Sequence, residues 1–154
     1  MKKTILLLNG PNLNLLGKRL PHVYGKETLE EIVTKLTNQL PNNFQILYFQ
    51  SNSEGEIVNF LNQQFLSLKE QKSEIAGLIV NAGAYTHTSI AIRDAIEVFT
   101  EEKTPLIEVH LSNIFKRESF RHHSYLSSLA NAVICGLGSY GYEVALQKIV
   151  SDAT

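Results

Sequence analysis

The chain has 154 residues, so residues 1–154 are expected to form a single domain. Its hydrophobic share of 44% and charged share of 19% exclude an intrinsically disordered chain. A formal charge of -1 leaves no broad basic field for nucleic acid or an anionic membrane, and the single Cys135 excludes an internal disulfide and a cysteine-rich zinc site while fitting a reducing cytoplasm.

Met1-Lys2-Lys3 followed by Ile5-Leu6-Leu7-Leu8 begins like a signal peptide. The apolar run stops at Asn9-Gly10-Pro11-Asn12, short of the roughly 7–15 residues such a core needs, so 5–8 reads as a buried first strand. No stretch reaches the roughly 18 apolar residues of a membrane span. Leu29, Ile32, Val33, Leu36 and Leu40 recur at helical spacing, behind a Thr28-x-x-Glu31 capping box and ahead of Pro41. Residues 44–49 read as the second strand. A second capping box, Ser53-x-x-Glu56, opens a helix with Ile57, Phe60, Leu61, Phe65 and Leu68 on one face. The third strand is 75–80, the third helix carries Ile92, Ala95, Ile96 and Phe99, the fourth strand is 106–111, the fifth 132–135, and a closing helix runs over 142–150.

Strands joined by crossover helices imply a parallel sheet covered on both faces. The expected fold is α/β, a flavodoxin-like, doubly wound, five-stranded parallel sheet in three α/β/α layers. Ligands in such sheets sit beyond the carboxyl ends of the strands, so chemistry belongs just after them.

After strand one comes Asn9-Gly10-Pro11-Asn12-Leu13-Asn14, then Arg19 and Tyr24-Gly25. The stretch 17–25 is bounded by glycines and lacks periodicity, which suits either a mobile lid or an ordinary surface loop. A free tyrosine titrates near roughly 10, and a nearby cation lowers that by roughly 1–3 units, so a tyrosine held beside arginine is a candidate general base. After strand three comes Asn81-Ala82-Gly83-Ala84-Tyr85-Thr86-His87-Thr88-Ser89. The hydroxyls of Thr86, Thr88 and Ser89 stand where the next helix needs a cap, while Asn81 and His87 face the expected crevice. Strand four carries Glu108 and His110 two residues apart, hence on one face. A carboxylate beside an imidazole orients it and favours its protonated form, as a general acid requires. An edge strand with one polar face would give the same pattern. Arg117 and Arg121 follow, either gripping a carboxylate or lying on a solvated face. The adjacent pair His122-His123 has poor metal geometry.

Two other patterns, a glycine fingerprint and the flavodoxin-like outline itself, invite different functions. Gly136-x-Gly138-x-x-Gly141 matches a dinucleotide fingerprint, but no strand and no acidic residue follow at the distance a ribose needs, so close helix–strand packing explains the glycines better. A phosphorylated receiver needs carboxylates where Asn9 and Asn81 stand. A flavin carrier needs backbone donors where Pro11 removes one.

The three segments at the ends of strands one, three and four, with 136–141 and its flanking helix, resemble the type II 3-dehydroquinate dehydratase (type II dehydroquinase) family, in order from about residue 3 to residue 150. The resemblance implies reversible dehydration of 3-dehydroquinate to 3-dehydroshikimate through an enolate, without metal or organic cofactor. It implies a cytoplasmic enzyme of the shikimate pathway or of quinate catabolism, and a homo-oligomer, typically a dodecamer of four trimers. By the same resemblance Tyr24 is the base, Arg19 the lid arginine that favours tyrosinate, Asn12 the holder of a water at the enolate oxygen, and His110 the acid. Asn81, His87, the Leu111–Ser112 backbone and Arg121 match substrate-holding positions. Asp94 matches an acid that reaches a neighbouring subunit's site, and Arg117 is a second cation near Tyr24. Ser53 departs from the family, which more often has histidine there. A non-enzymatic module binding a small acid is the competing class: it would keep the asparagines and arginines and need no base.

Overall fold

Four consecutive apolar residues, Ile5 to Leu8, point alternately to the two faces of a strand, and all four are buried. Both faces of the sheet at this strand are therefore covered, and each such side chain contributes roughly 1.5–3 kcal/mol of burial. The computed structural model describes all 154 residues. The strands are β1 (Lys3–Asn9), β2 (Phe44–Gln50), β3 (Glu74–Asn81), β4 (Leu106–His110) and β5 (Ala132–Cys135). The helices are α1 (Pro21–Tyr24), α2 (Leu29–Asn38), α3 (Glu54–Lys69), α4 (Ile90–Glu101) and α5 (Tyr140–Ala153). The strands form one parallel sheet in the order β2-β1-β3-β4-β5, the flavodoxin-like arrangement expected.

Two cores result. On one face Leu29, Ile32 and Leu36 of α2 and Tyr142, Ala145, Leu146 and Ile149 of α5 pack on Ile5, Leu7 and Ile79. On the other, Ile57 and Leu61 of α3 and Ile92, Ile96 and Phe99 of α4 pack on Leu6, Leu8 and Leu78.

The Thr28–Glu31 capping box forms in full. The second forms by half: the Ser53 hydroxyl accepts from the Glu56 N–H, but the Glu56 carboxylate turns to the Ser51 hydroxyl, which also accepts from the Ser53 N–H. β4 is not an edge strand, because β3 and β5 flank it, so the polar pair on it does not face solvent at a sheet edge. A Cβ on Gly141 would lie 3.2 Å from Ile134 and 3.3 Å from Val109, which agrees with close helix–strand packing as the reason for that glycine.

Candidate active site

β1 and β3 are neighbours whose following connections run in opposite directions, and the crevice at such a switch point opens beyond their carboxyl ends. Asn9 and Asn81 are partners in the last register of this pair. The Gly10 N–H then donates to the Asn81 carbonyl at 2.8 Å. A Cβ on Gly10 would lie 2.1 Å from the Ala82 carbonyl oxygen, so only glycine lets the two loops meet. Asn12 takes a left-handed backbone (φ 67°), a conformation asparagine tolerates better than most residues. Its N–H donates to Asn52 Oδ1 at 2.9 Å, from the loop after β2, and the Tyr85 hydroxyl donates to the Asn52 carbonyl at 2.7 Å. Asn52 therefore ties the loops after β1 and β3 to the loop after β2.

The aperiodic stretch 17–25, read as either a mobile lid or a surface loop, contains one helical turn, α1, started by Pro21 and ending at the half-buried Tyr24. Arg19 and Tyr24 line the same cavity. The guanidinium over the Tyr24 ring is that of Arg117, 5.4 Å from the ring centroid, and it also donates to the Ser112 hydroxyl at 3.3 Å. The Gly138 N–H takes the Leu111 carbonyl at 2.9 Å. Because a trans peptide sets its C=O and N–H on opposite edges, the Ser112 N–H points away from Gly138. Arg121 donates to Glu118 at 2.9 Å across an exposed i,i+3 pair, a weak tether.

His110 Nε2 lies 2.9 Å from Glu108 Oε1, and both side chains are buried. The Glu108 carboxylate also accepts from the hydroxyls of Thr86, Ser124 and Ser127. Burial alone would raise its pKa. The hydrogen bonds from His110, Ser124 and Ser127 overcome that and hold it down at about 2. An ionised carboxylate only accepts, so His110 Nε2 carries the hydrogen and Nδ1 is the nitrogen left to the cavity. His87 stacks near His110, with ring centroids 6.4 Å apart. Its Nδ1 meets the His123 carbonyl at 2.7 Å and so carries the hydrogen, which leaves Nε2 as an acceptor. Burial lowers the His87 pKa, outweighing that carbonyl, and His110 and Arg121 push the same way.

Every residue expected at the site except Asp94 lines this one cavity: Asn12, Arg19, Tyr24, Asn81, His87, His110, Leu111, Ser112 and Arg121, joined by Arg117. Asp94 is exposed on α4, outside it. Thr86 does not cap α4; it turns to Glu108, and Ser89 is the cap. The sequence reading missed Asn52, the serines around Glu108, and Tyr142. Tyr142 carried a signal, since a tyrosine on a helix's apolar face needs a partner for its hydroxyl. No group of three or more His, Cys, Asp or Glu side chains is placed to hold a metal ion.

Residues 3–150 match the family model described as dehydroquinase class II. A 3-dehydroquinate dehydratase of Actinobacillus pleuropneumoniae serotype 5b is 50% identical over 151 residues, covering 97% of this chain and 92% of the relative. A catabolic 3-dehydroquinase of Phaeosphaeria nodorum is 47% identical over 148 residues, covering 96% and 91%. The crystal structure of type II dehydroquinase from Propionibacterium acnes superposes with a TM-score of 0.84 at 37% identity, covering 99% of both chains. With likeness this even in sequence, fold and length, the chain belongs to the class II dehydroquinase family and is a type II dehydratase enzyme.

Proposed function

We propose that this enzyme removes water from 3-dehydroquinate to give 3-dehydroshikimate through an enolate, with Tyr24 as base and His110 as acid. One observation carries the assignment of roles. A phenol lying beneath a guanidinium and an imidazole fixed by a buried carboxylate line the same cavity, so a base and an acid face a single substrate. The Tyr24 oxygen, as phenolate, takes the proton from the carbon next to the ketone. The C–H electron pair becomes the C=C bond of the enolate, and the C=O π pair moves onto the ketone oxygen. A water held by Asn12 donates to that oxygen, and fixed dipoles of this kind usually supply the largest part of the rate enhancement. A second ring proton on His110 Nδ1, beside the one Nε2 holds toward Glu108, passes to the departing hydroxyl, the enolate collapses, the C–O bond breaks and water leaves. Tyr24 then returns its proton to solvent and His110 regains one. Arg117, over the Tyr24 ring, and Arg19, lining the same cavity, supply the positive charge on this side of the site. The Ser112 N–H and hydroxyl meet the substrate carboxylate, while Asn81, His87 and Arg121 meet ring oxygens.

The wider reading is a cytoplasmic homo-oligomer, a dodecamer built from four trimers, with the exposed Asp94 extending to a neighbouring copy's site. It covers both biosynthetic and catabolic use, since the named relatives include a catabolic enzyme.

The test is to add 3-dehydroquinate and follow the ultraviolet absorbance of the conjugated enone. Binding heat without an absorbance rise would favour the binding module. Tyr24→Phe should lower kcat by about 10²–10⁴-fold with an unchanged circular dichroism spectrum. Near-normal turnover in that variant would remove Tyr24 from the base role.

A further inference from the structure

We propose that Tyr142, a buried residue of the first turn of α5, is a positioning residue that fixes which end of the Asn81 side-chain amide is offered to substrate. The Asn81 Nδ2 donates to the Tyr142 hydroxyl oxygen at 2.9 Å, and the same hydroxyl donates to Asn9 Oδ1. Asn81 Oδ1 accepts from the Gly83 N–H at 3.2 Å. A hydroxyl has one hydrogen, so giving it to Asn9 makes the oxygen an acceptor toward Asn81. Burial pushes the Tyr142 phenol above its ordinary pKa, outweighing the Asn81 amide, so that hydrogen stays in place. The chain of bonds runs one way, from Asn81 to Tyr142 to Asn9. With Oδ1 turned to the Gly83 N–H and one Nδ2 hydrogen held by Tyr142, the second Nδ2 hydrogen is the donor Asn81 has free for the cavity it lines.

Stability alone does not account for this arrangement. Asn9 Nδ2 is buried without any hydrogen-bond partner. An unsatisfied buried donor is a cost that an apolar side chain at position 9 would remove. What Asn9 supplies in return is the acceptor that sends the Tyr142 hydrogen away from Asn81.

The proposal rests on Asn81 holding substrate, as read above, and the experiment separates the two. Steady-state kinetics on 3-dehydroquinate would compare Tyr142→Phe, Asn81→Ala and the two combined. Loss of the hydroxyl leaves the Gly83 N–H alone to hold the amide, so Tyr142→Phe should raise KM about fivefold, the equivalent of one ordinary hydrogen bond, while kcat changes less. In the Asn81→Ala background the same change should add nothing to KM, because its effect passes through the missing amide. An Asn81→Ala variant with normal KM would remove Asn81 from substrate binding and Tyr142's role with it. A raised KM in Asn81→Ala beside a normal KM in Tyr142→Phe would leave the site reading intact and overturn the role of Tyr142 alone.

Tyr142→Phe also strands the side-chain Oδ1 of Asn9, so a lower melting temperature is expected. Asn9→Leu combined with Tyr142→Phe makes both positions apolar and should recover melting temperature while KM stays raised. This double variant carries the same kinetic test should Tyr142→Phe alone fail to fold. Recovery of KM together with stability would show a purely structural role and sink the proposal.

Discussion

A carboxylate with no solvent around it stays an anion only where donors replace the lost water. Around Glu108 these are the His110 ring and the hydroxyls of Thr86, Ser124 and Ser127. The consequence for chemistry is a fixed tautomer at His110, with Nε2–H toward Glu108 and Nδ1 toward the cavity. Glu108→Gln keeps the shape and removes the charge, and an amide can turn either its oxygen or its NH2 toward the ring. We expect kcat to fall at least about tenfold, with KM changed much less, because the acid loses the carboxylate that orients it. A pH–rate profile of kcat superimposable on that of the parent enzyme would exclude the pair from the reaction. The i,i+2 spacing made Glu108 and His110 readable on one face of a strand. The surrounding hydroxyls were not readable: Thr86 sits beside Ser89, the residue that does cap the helix, and Ser124 and Ser127 lie in an aperiodic loop where spacing predicts no direction.

Elements whose residues repeat with the helix or strand period were legible to within a few positions. α2, with its Thr28 box, is the clearest case, because side chain and backbone satisfy each other locally. Strand ends were less legible. Lys3, Gln50 and Asn81 extend the strands beyond their apolar runs, since ladder bonds use the backbone and accept polar side chains. The turn at α1 was missed because Leu20 enters it in a left-handed conformation that nothing in its identity announces. The approach of the loops after β1 and β3 has a direct test. In Gly10→Ala the new Cβ would meet backbone rather than a flexible side chain, so one loop must move. We expect a loss of about 1–3 kcal/mol in stability by chemical unfolding, as for other overpacked sites. Displacing Asn12 relative to Asn81 by about 1 Å should cost on the order of 10²-fold in kcat/KM. Parental melting and kinetics would mean that the loops tolerate separation.

For the molecule as a whole, alternation of strands and helices announced a parallel sheet covered on both faces, but strand order is a matter of pairing that periodicity does not record. The order places β4 inside the sheet, and that position, rather than the Glu-x-His spacing, makes Glu108 a deeply buried charge. Burial of this kind couples the site to the stability of the fold. Glu108 binds its proton at about 2 in the folded chain against an ordinary 4.5. Between those values the unfolded chain holds more protons at this group than the native one, so the Glu108 contribution to stability is present above pH 4.5 and is lost as the pH drops through the window. The whole effect is about 3 kcal/mol, a sizeable part of the roughly 5–15 kcal/mol that holds a typical domain together. Glu118 and Glu143 are lowered as well, the first by its own backbone N–H and Arg121, the second by Lys35 and Gln39, but both pairings are at the surface and add little. Urea unfolding at fixed protein concentration should therefore show the parent enzyme losing stability steeply between pH 4.5 and pH 2, with Glu108→Gln losing clearly less over the same range. Equal losses in the two proteins would mean that the acid sensitivity resides elsewhere, and that the hydroxyl ring around Glu108 does not hold it ionised.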